Sequence, residues 1–385
     1  MNSSPSSVPN FFFTLSLATA LVVLAGCNPK DGVREFADGM TAYEARSLEK
    51  AEKLFAKSLV YAPENVDALV MLARVKCDLG EISDAGDTIA KAAALAPDAP
   101  DVALLDAEIA LYAGDYARAT SRFSGVANDE KLEAPARALG WTGLGIVEMT
   151  RDNRDLARIA FLTAIRLDRR NAPARYHLGL LYRGDKYSYL DAALEQFEIF
   201  VRLEASASPR VQKVLRAIIP ALKEQISREA ANRPGVSKRD SASSAASLAK
   251  AEAAWKKGNF RNARDAYQAA LSADPLSYPA ALGLAKAWAK TDTSKAGQGK
   301  SFENYKLACT LRPGAISTFL TTGDLAARLG YHAPAAEIFS RAVAASPASI
   351  QALDGLIRAL QRSGGHKTDA QAYQLYRESI PLKRK

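Results

Sequence analysis

Residues 51–63 read AEKLFAKSLVYAP, and residues 85–97 read AGDTIAKAAALAP. In each stretch an alanine (Ala51, Ala85) is followed four residues later by a bulky side chain (Phe55, Ile89). A small residue comes three further on (Ser58, Ala92), and a proline closes the stretch (Pro63, Pro97). Residues three and four apart share one face of an α-helix, so each stretch predicts a helix with small and large side chains alternating along one stripe. The small positions let a neighbouring helix approach closely and the large one fills the space beside it. A bigger side chain forced into a small site costs about 1–3 kcal/mol. The proline cannot continue the helix and stops it.

The two stretches lie 34 residues apart, and the pattern returns along the chain. Ala119/Phe123, Ala157/Phe161 and Ala193/Phe197 repeat it in the first half; Ala263/Tyr267, Ser301/Tyr305, Ala335/Phe339 and Asp369/Tyr373 repeat it in the second. Pro313, Pro347 and Pro381 keep the same period, and Gly80, Gly114, Gly258, Gly330 and Gly364 fall at turn positions. Preceding helices are marked by Trp141, Leu144 and Gly145, and by Leu178, Gly179 and Tyr182. A helix–turn–helix unit of this period resembles the tetratricopeptide repeat. The resemblance runs over residues 32–381 in nine units, with insertions near residues 128–134, 185–190 and 294–300.

The resemblance implies an all-α fold, an α-solenoid of stacked helix hairpins in which each unit touches mainly its neighbours. We expect a first array of about five repeats over residues 32–208, a capping helix over 209–231 kinked at Pro220, a polar linker over 232–247, a second array of about four repeats over 248–381, and a basic tail over 382–385. Phe200 and Tyr376 replace the usual small residue, and Phe200 is placed to close the first array.

Ahead of the repeats, Phe11 to Gly26 is an uncharged apolar run of 16 residues. A membrane-spanning helix needs about 20, so the run suits the core of a signal peptide instead. Its end, Leu24-Ala25-Gly26-Cys27, resembles the bacterial lipobox. That resemblance implies a lipoprotein signal peptide over residues 1–26, acylation of Cys27, and a tether over 27–31. Residues 1–10 depart from it in carrying no Lys or Arg. The implied location is the cell envelope, membrane-anchored and facing the periplasm, and Asn28 favours the outer membrane over the inner.

The formal charge of +9 is unevenly spread: residues 1–228 hold 28 basic and 30 acidic side chains, residues 229–385 hold 23 and 12. Such asymmetry points to different partners for the two halves. Three cysteines make no disulfide framework; Cys77 and Cys309 read as buried free thiols. His177, His332 and His366 are scattered, without metal-ligand spacing. Gly299-Lys300-Ser301 imitates the end of a phosphate loop, but Ser294 stands where the first glycine belongs and no strand precedes it. We read this segment as an inter-helix turn with a solvated lysine. The sequence thus predicts no catalytic centre, no metal, no cofactor and no nucleic-acid partner.

What it offers is surface. Carrying over the groove positions of the resembled repeat gives Phe36, Met40 and Tyr43 in the first unit; Val70, Arg74 and Cys77 in the second; and Leu104, Glu108 and Leu111 in the third. Thr142, Ile146 and Met149 follow in the fourth, then Tyr176, Leu180 and Arg183 in the fifth. Aromatics, Met and Arg are enriched at interface cores. A separate basic patch is expected from Lys250, Lys256, Lys257, Arg261 and Arg264. The expected function is an envelope adaptor holding protein partners, such as envelope or secretion components, in the groove. The alternative is a subunit of an exopolysaccharide or transport complex whose basic half meets an anionic glycan or lipid head groups; an enzyme ranks third.

Overall fold

The computed structural model describes residues 32–184, 189–206, 208–231, 240–364 and 366–380. The signal segment, Cys27 and the basic tail lie outside these residues. All regular structure among them is helical, arranged as nine hairpins and one further helical segment. The hairpins are α1 (Val33–Glu44) with α2 (Leu48–Tyr61), α3 (Val66–Leu79) with α4 (Ile82–Leu95), α5 (Pro100–Tyr112) with α6 (Tyr116–Asn128), α7 (Ala134–Thr150) with α8 (Arg154–Leu167), and α9 (Ala172–Arg183) with α10 (Leu190–Leu203). The further segment is α11 (Pro209–Lys213), a π-helical turn (Val214–Ile218) and α12 (Ile219–Ala231). The remaining hairpins are α13 (Ser241–Lys256) with α14 (Phe260–Ala273), α15 (Tyr278–Thr291) with α16 (Lys295–Leu311), α17 (Ile316–Arg328) with α18 (His332–Ala345), and α19 (Ile350–Ser363) with α20 (Lys367–Glu378). The fold is a tetratricopeptide-like α-solenoid. It divides at His177/Leu178 into two compact units.

The small-and-large stripe is the core of each unit. In the first, Phe55, Ile89, Phe123 and Phe161 are fully buried, as are Ala51, Ala85, Ala119 and Ala157. Each such large side chain contributes about 1.5–3 kcal/mol by leaving water. A Cβ built on Gly145 of α7 would lie 2.5 Å from the Phe161 ring, so only glycine lets α7 and α8 meet there. In the second unit Phe339 is 1% exposed and touches two first-type helices at once. Gly323 of α17 meets it from its own hairpin and Gly355 of α19 from the next.

Turns follow the glycine pattern. Gly80, Gly114, Gly258, Gly330 and Gly364 all have positive φ, while Arg46 and Asp152 take the same left-handed turn in two other hairpins. Pro63, Pro97, Pro313 and Pro347 each sit one residue past a helix C-cap, where proline is common because it cannot continue the helix.

Three local features differ from sequence expectation or refine it. Pro220 has no N–H, and the strain it introduces is taken up one turn earlier as the π turn, in which the Ile219 amide donates to the Val214 carbonyl. Phe200, large at a small-residue site, is fully buried; the π turn and α12 pack on α10, and at the start of α10 the Tyr189 hydroxyl donates to Ser340 Oγ of α18 at 3.2 Å. The third is a correction: residues 294–300 are not a turn. Ser294 caps α16, its Oγ accepting from the Gly297 amide at 3.2 Å, and Asp292 Oδ1 accepts from the Ser294 amide at 3.0 Å. α16 therefore has 17 residues against 14 in α14; the insertion lengthens the helix. In the stretch read as linker, α13 already begins at Ser241, capped by Asp240 accepting from the Ser243 amide at 2.9 Å.

Candidate partner-binding surface

In the first unit the opening helices of successive hairpins pack on one another, α3 on α5 and α5 on α7. The positions read as groove are carried by α1, α3, α5, α7 and α9, with Leu180 and Arg183 of α9 belonging to the second unit, and they divide by burial. Val70, Leu104, Leu111, Ile146 and Tyr176 are each at most 9% exposed and are held in packing against neighbouring helices. Phe36, Met40, Tyr43, Arg74, Met149 and Leu180 are half-buried, and Arg183 is exposed. Phe36, Met40 and Tyr43 lean on the core around Phe55, and the Phe36 and Phe55 rings lie 5.6 Å apart.

A polar ladder crosses this face at one-repeat spacing. Tyr43 on α1 donates to Asp78 Oδ2 at 3.0 Å, and Arg46 reaches the same oxygen at 3.3 Å. Arg74 on α3 donates to Glu108 on α5; the two side chains are 11% and 1% exposed. A buried acid of this kind persists because it is paired. Burial raises the Tyr43 hydroxyl pKa, with Asp78 adding to the effect. Burial also lifts the Asp78 carboxyl above its ordinary value. Cys77 between them is half-buried and unpaired with another cysteine, and burial pushes its thiol up to about 12. Cys309 in the second unit is buried and pushed up to about 11, again chiefly by burial. His177 stacks on Phe161 with ring centroids 5.9 Å apart.

The basic patch lies on α13, α14 and their turn. Lys250, Lys256, Lys257 and Arg261 are exposed, and Arg264 is half-buried. Arg264 is drawn over the Trp288 ring, 4.6 Å from its centroid. Lys300, read from sequence as a solvated lysine in a turn, stands 4.4 Å from the same ring. Sequence reasoning missed this pairing; its only signal was the insertion that brings the start of α16 alongside α15.

Among the described residues no group of three or more His, Cys, Asp or Glu is placed to hold a metal ion, and no helix is long and apolar enough to cross a membrane.

Two family models, both described as Tetratricopeptide repeat, match residues 42–109 and 248–295. The chain therefore carries tetratricopeptide repeats in both halves, and such repeats are scaffolds for binding other proteins. No curated protein matches the sequence. Among solved structures, a thermophilic TPR protein of Thermus thermophilus, TTC0263, is 20% identical, covering 50% of this chain and 99% of its own, with a TM-score of 0.43. PilF of Pseudomonas aeruginosa is 19% identical over 54% of this chain and 96% of its own, with a TM-score of 0.40. The Cut9 and Hcn1 hetero-tetramer of the APC/C is 16% identical over 92% of this chain and 80% of the matched one, with a TM-score of 0.36. Likeness this distant says nothing of partner or pathway.

Proposed function

We propose that the chain is a membrane-anchored adaptor of the bacterial cell envelope, binding segments of partner proteins along the concave face of its first repeats. One observation carries the reading: the Tyr43–Asp78 and Arg74–Glu108 contacts repeat at one-repeat spacing across α1, α3 and α5, with Phe36 and Met40 half-exposed beside them. This is a pre-ordered strip of aromatic, thioether and charged groups, the mixture that forms interface cores. A partner segment laid along it meets side chains already fixed in place, so little further ordering entropy is lost on binding. Anchoring follows from the lipobox-like end of the apolar run. Acyl chains on Cys27 would each contribute about 0.8 kcal/mol per buried CH₂, and more than one chain is needed for a firm hold.

Two experiments test the two halves of the proposal. A photo-crosslinking residue at Met40 should capture partners from intact cells, whereas one at Val60, which is 76% exposed on α2, should not. Equal capture at both positions would remove the concave face from the proposal. Cys27→Ser should abolish labelling by radioactive palmitate and leave the signal segment uncleaved; normal processing would end the lipoprotein reading.

A second reading, a subunit of an exopolysaccharide or transport complex, is favoured by the exposure of Lys250, Lys256, Lys257 and Arg261 on one hairpin. Contacts resting on such charges weaken with added salt.

A further inference from the structure

Within the second unit, helices far apart in the chain meet at Tyr189, the residue before α10. Tyr189 is 6% exposed. Its hydroxyl donates to Ser340 Oγ of α18 at 3.2 Å, across 151 residues of sequence. Its ring stands edge-on to Tyr182 of α9, with centroids 5.7 Å apart. The Arg341 guanidinium carbon of α18 lies 5.7 Å from the same ring centre, within reach of cation–π attraction. Beside this contact the packing stops. A cavity of about 320 Å³ lies between α10 and α12 on one side and α16, α17 and α18 on the other, lined by Leu190, Ile226, Cys309, Phe319 and Ala344 among others. Close-packed interiors hold few voids larger than one water. The two walls therefore forgo the dispersion that a filled core supplies, and a region short of buried apolar contacts opens before the rest of a fold does.

We propose that α10 and α12 form a pinned cover on the second-half repeats, with Tyr189 as the pin, and that local release of the cover opens the cavity to solvent. α12 packs on α10, so the two helices move together. Release separates Tyr189 from Ser340 and Arg341. It gives water the cavity wall, where Phe319 is 2% exposed and Cys309 5% in the closed form. The cover lies in the second unit and does not depend on the strip of side chains around Arg74 and Glu108.

The test uses the full chain and a maleimide, with labelled cysteines located by peptide mass spectrometry. Cys309 is a reporter built into the cavity wall. Its thiol is pushed up to about 11, chiefly by burial, so it reacts slowly while covered. Tyr189→Phe keeps the ring and loses the bond to Ser340. It should speed labelling of Cys309 about fivefold, the weight of one hydrogen bond, and Ser340→Ala should do the same. The double variant should be no faster than either single one, since both lose the same bond. Labelling of Cys77 in the first unit and helical content by circular dichroism should stay unchanged. Cys309 labelling as slow in both single variants as in the parent chain would overturn the proposal. So would Cys77 accelerating in step with Cys309, which is the mark of global unfolding, or rapid labelling of Cys309 before any substitution.

Discussion

At the scale of single residues, the most consequential pair is Arg74 and Glu108. Removing one partner strands a charge in a site with little access to water, so Glu108→Ala should lower unfolding stability by about 3 kcal/mol, while Arg74→Met with Glu108→Leu should lose much less. Urea titration of the three variants checks this; a double variant as damaged as the single one would show that the charge is not what matters. Cys77 supplies a pH dependence. Its thiol is pushed up to about 12 from the ordinary 9.0, so the unfolded chain ionises first. Stability from this group is complete below about pH 9 and is lost as pH climbs toward about 12. Cys77→Ala should flatten that decline in urea midpoints; an identical slope would refute it. Carrying over the groove positions of the resembled repeat placed Arg74, Cys77 and Glu108 on one face, but not the fact that Arg74 and Glu108 answer each other's charge.

At the scale of elements, hairpins nest because small residues meet aromatics. Gly355→Ala adds a methyl where α19 meets Phe339. Overpacking of about 1–3 kcal/mol should outweigh the gain of about 1 kcal/mol in helix propensity, so the melting temperature should fall; a rise would mean the ring gives way freely. Ser294→Ala removes the cap of α16 and should cost about 1 kcal/mol, with faster amide exchange confined to the first turn after Lys295. Unchanged exchange there would show that the cap is idle. The helices, their proline stops and their turn glycines were legible because they depend on local spacing. The start of α16 was not, since glycines near residues 297–299 argue locally for a turn, and the capping contacts of Asp292 and Ser294 decide otherwise.

At the scale of the whole molecule, each repeat is held mainly by its neighbours, with a tie beyond them where the Tyr189 hydroxyl at the start of α10 donates to Ser340 Oγ of α18 at 3.2 Å. The end helices have a neighbour on one side only. Hydrogen exchange read by fragment mass spectrometry should therefore find α1 and α20 opening sooner than α7 and α8; uniform protection would contradict a nearest-neighbour solenoid. What the sequence determined by itself was the helical hairpin, its period and its small-and-large core stripe, because these need only residues three, four and 34 apart. Which groove positions keep surface, and how Arg264 and Lys300 meet over Trp288, were decided by tertiary packing. Burial and charge pairing depend on residues from separate helices arriving together, and no local spacing encodes that.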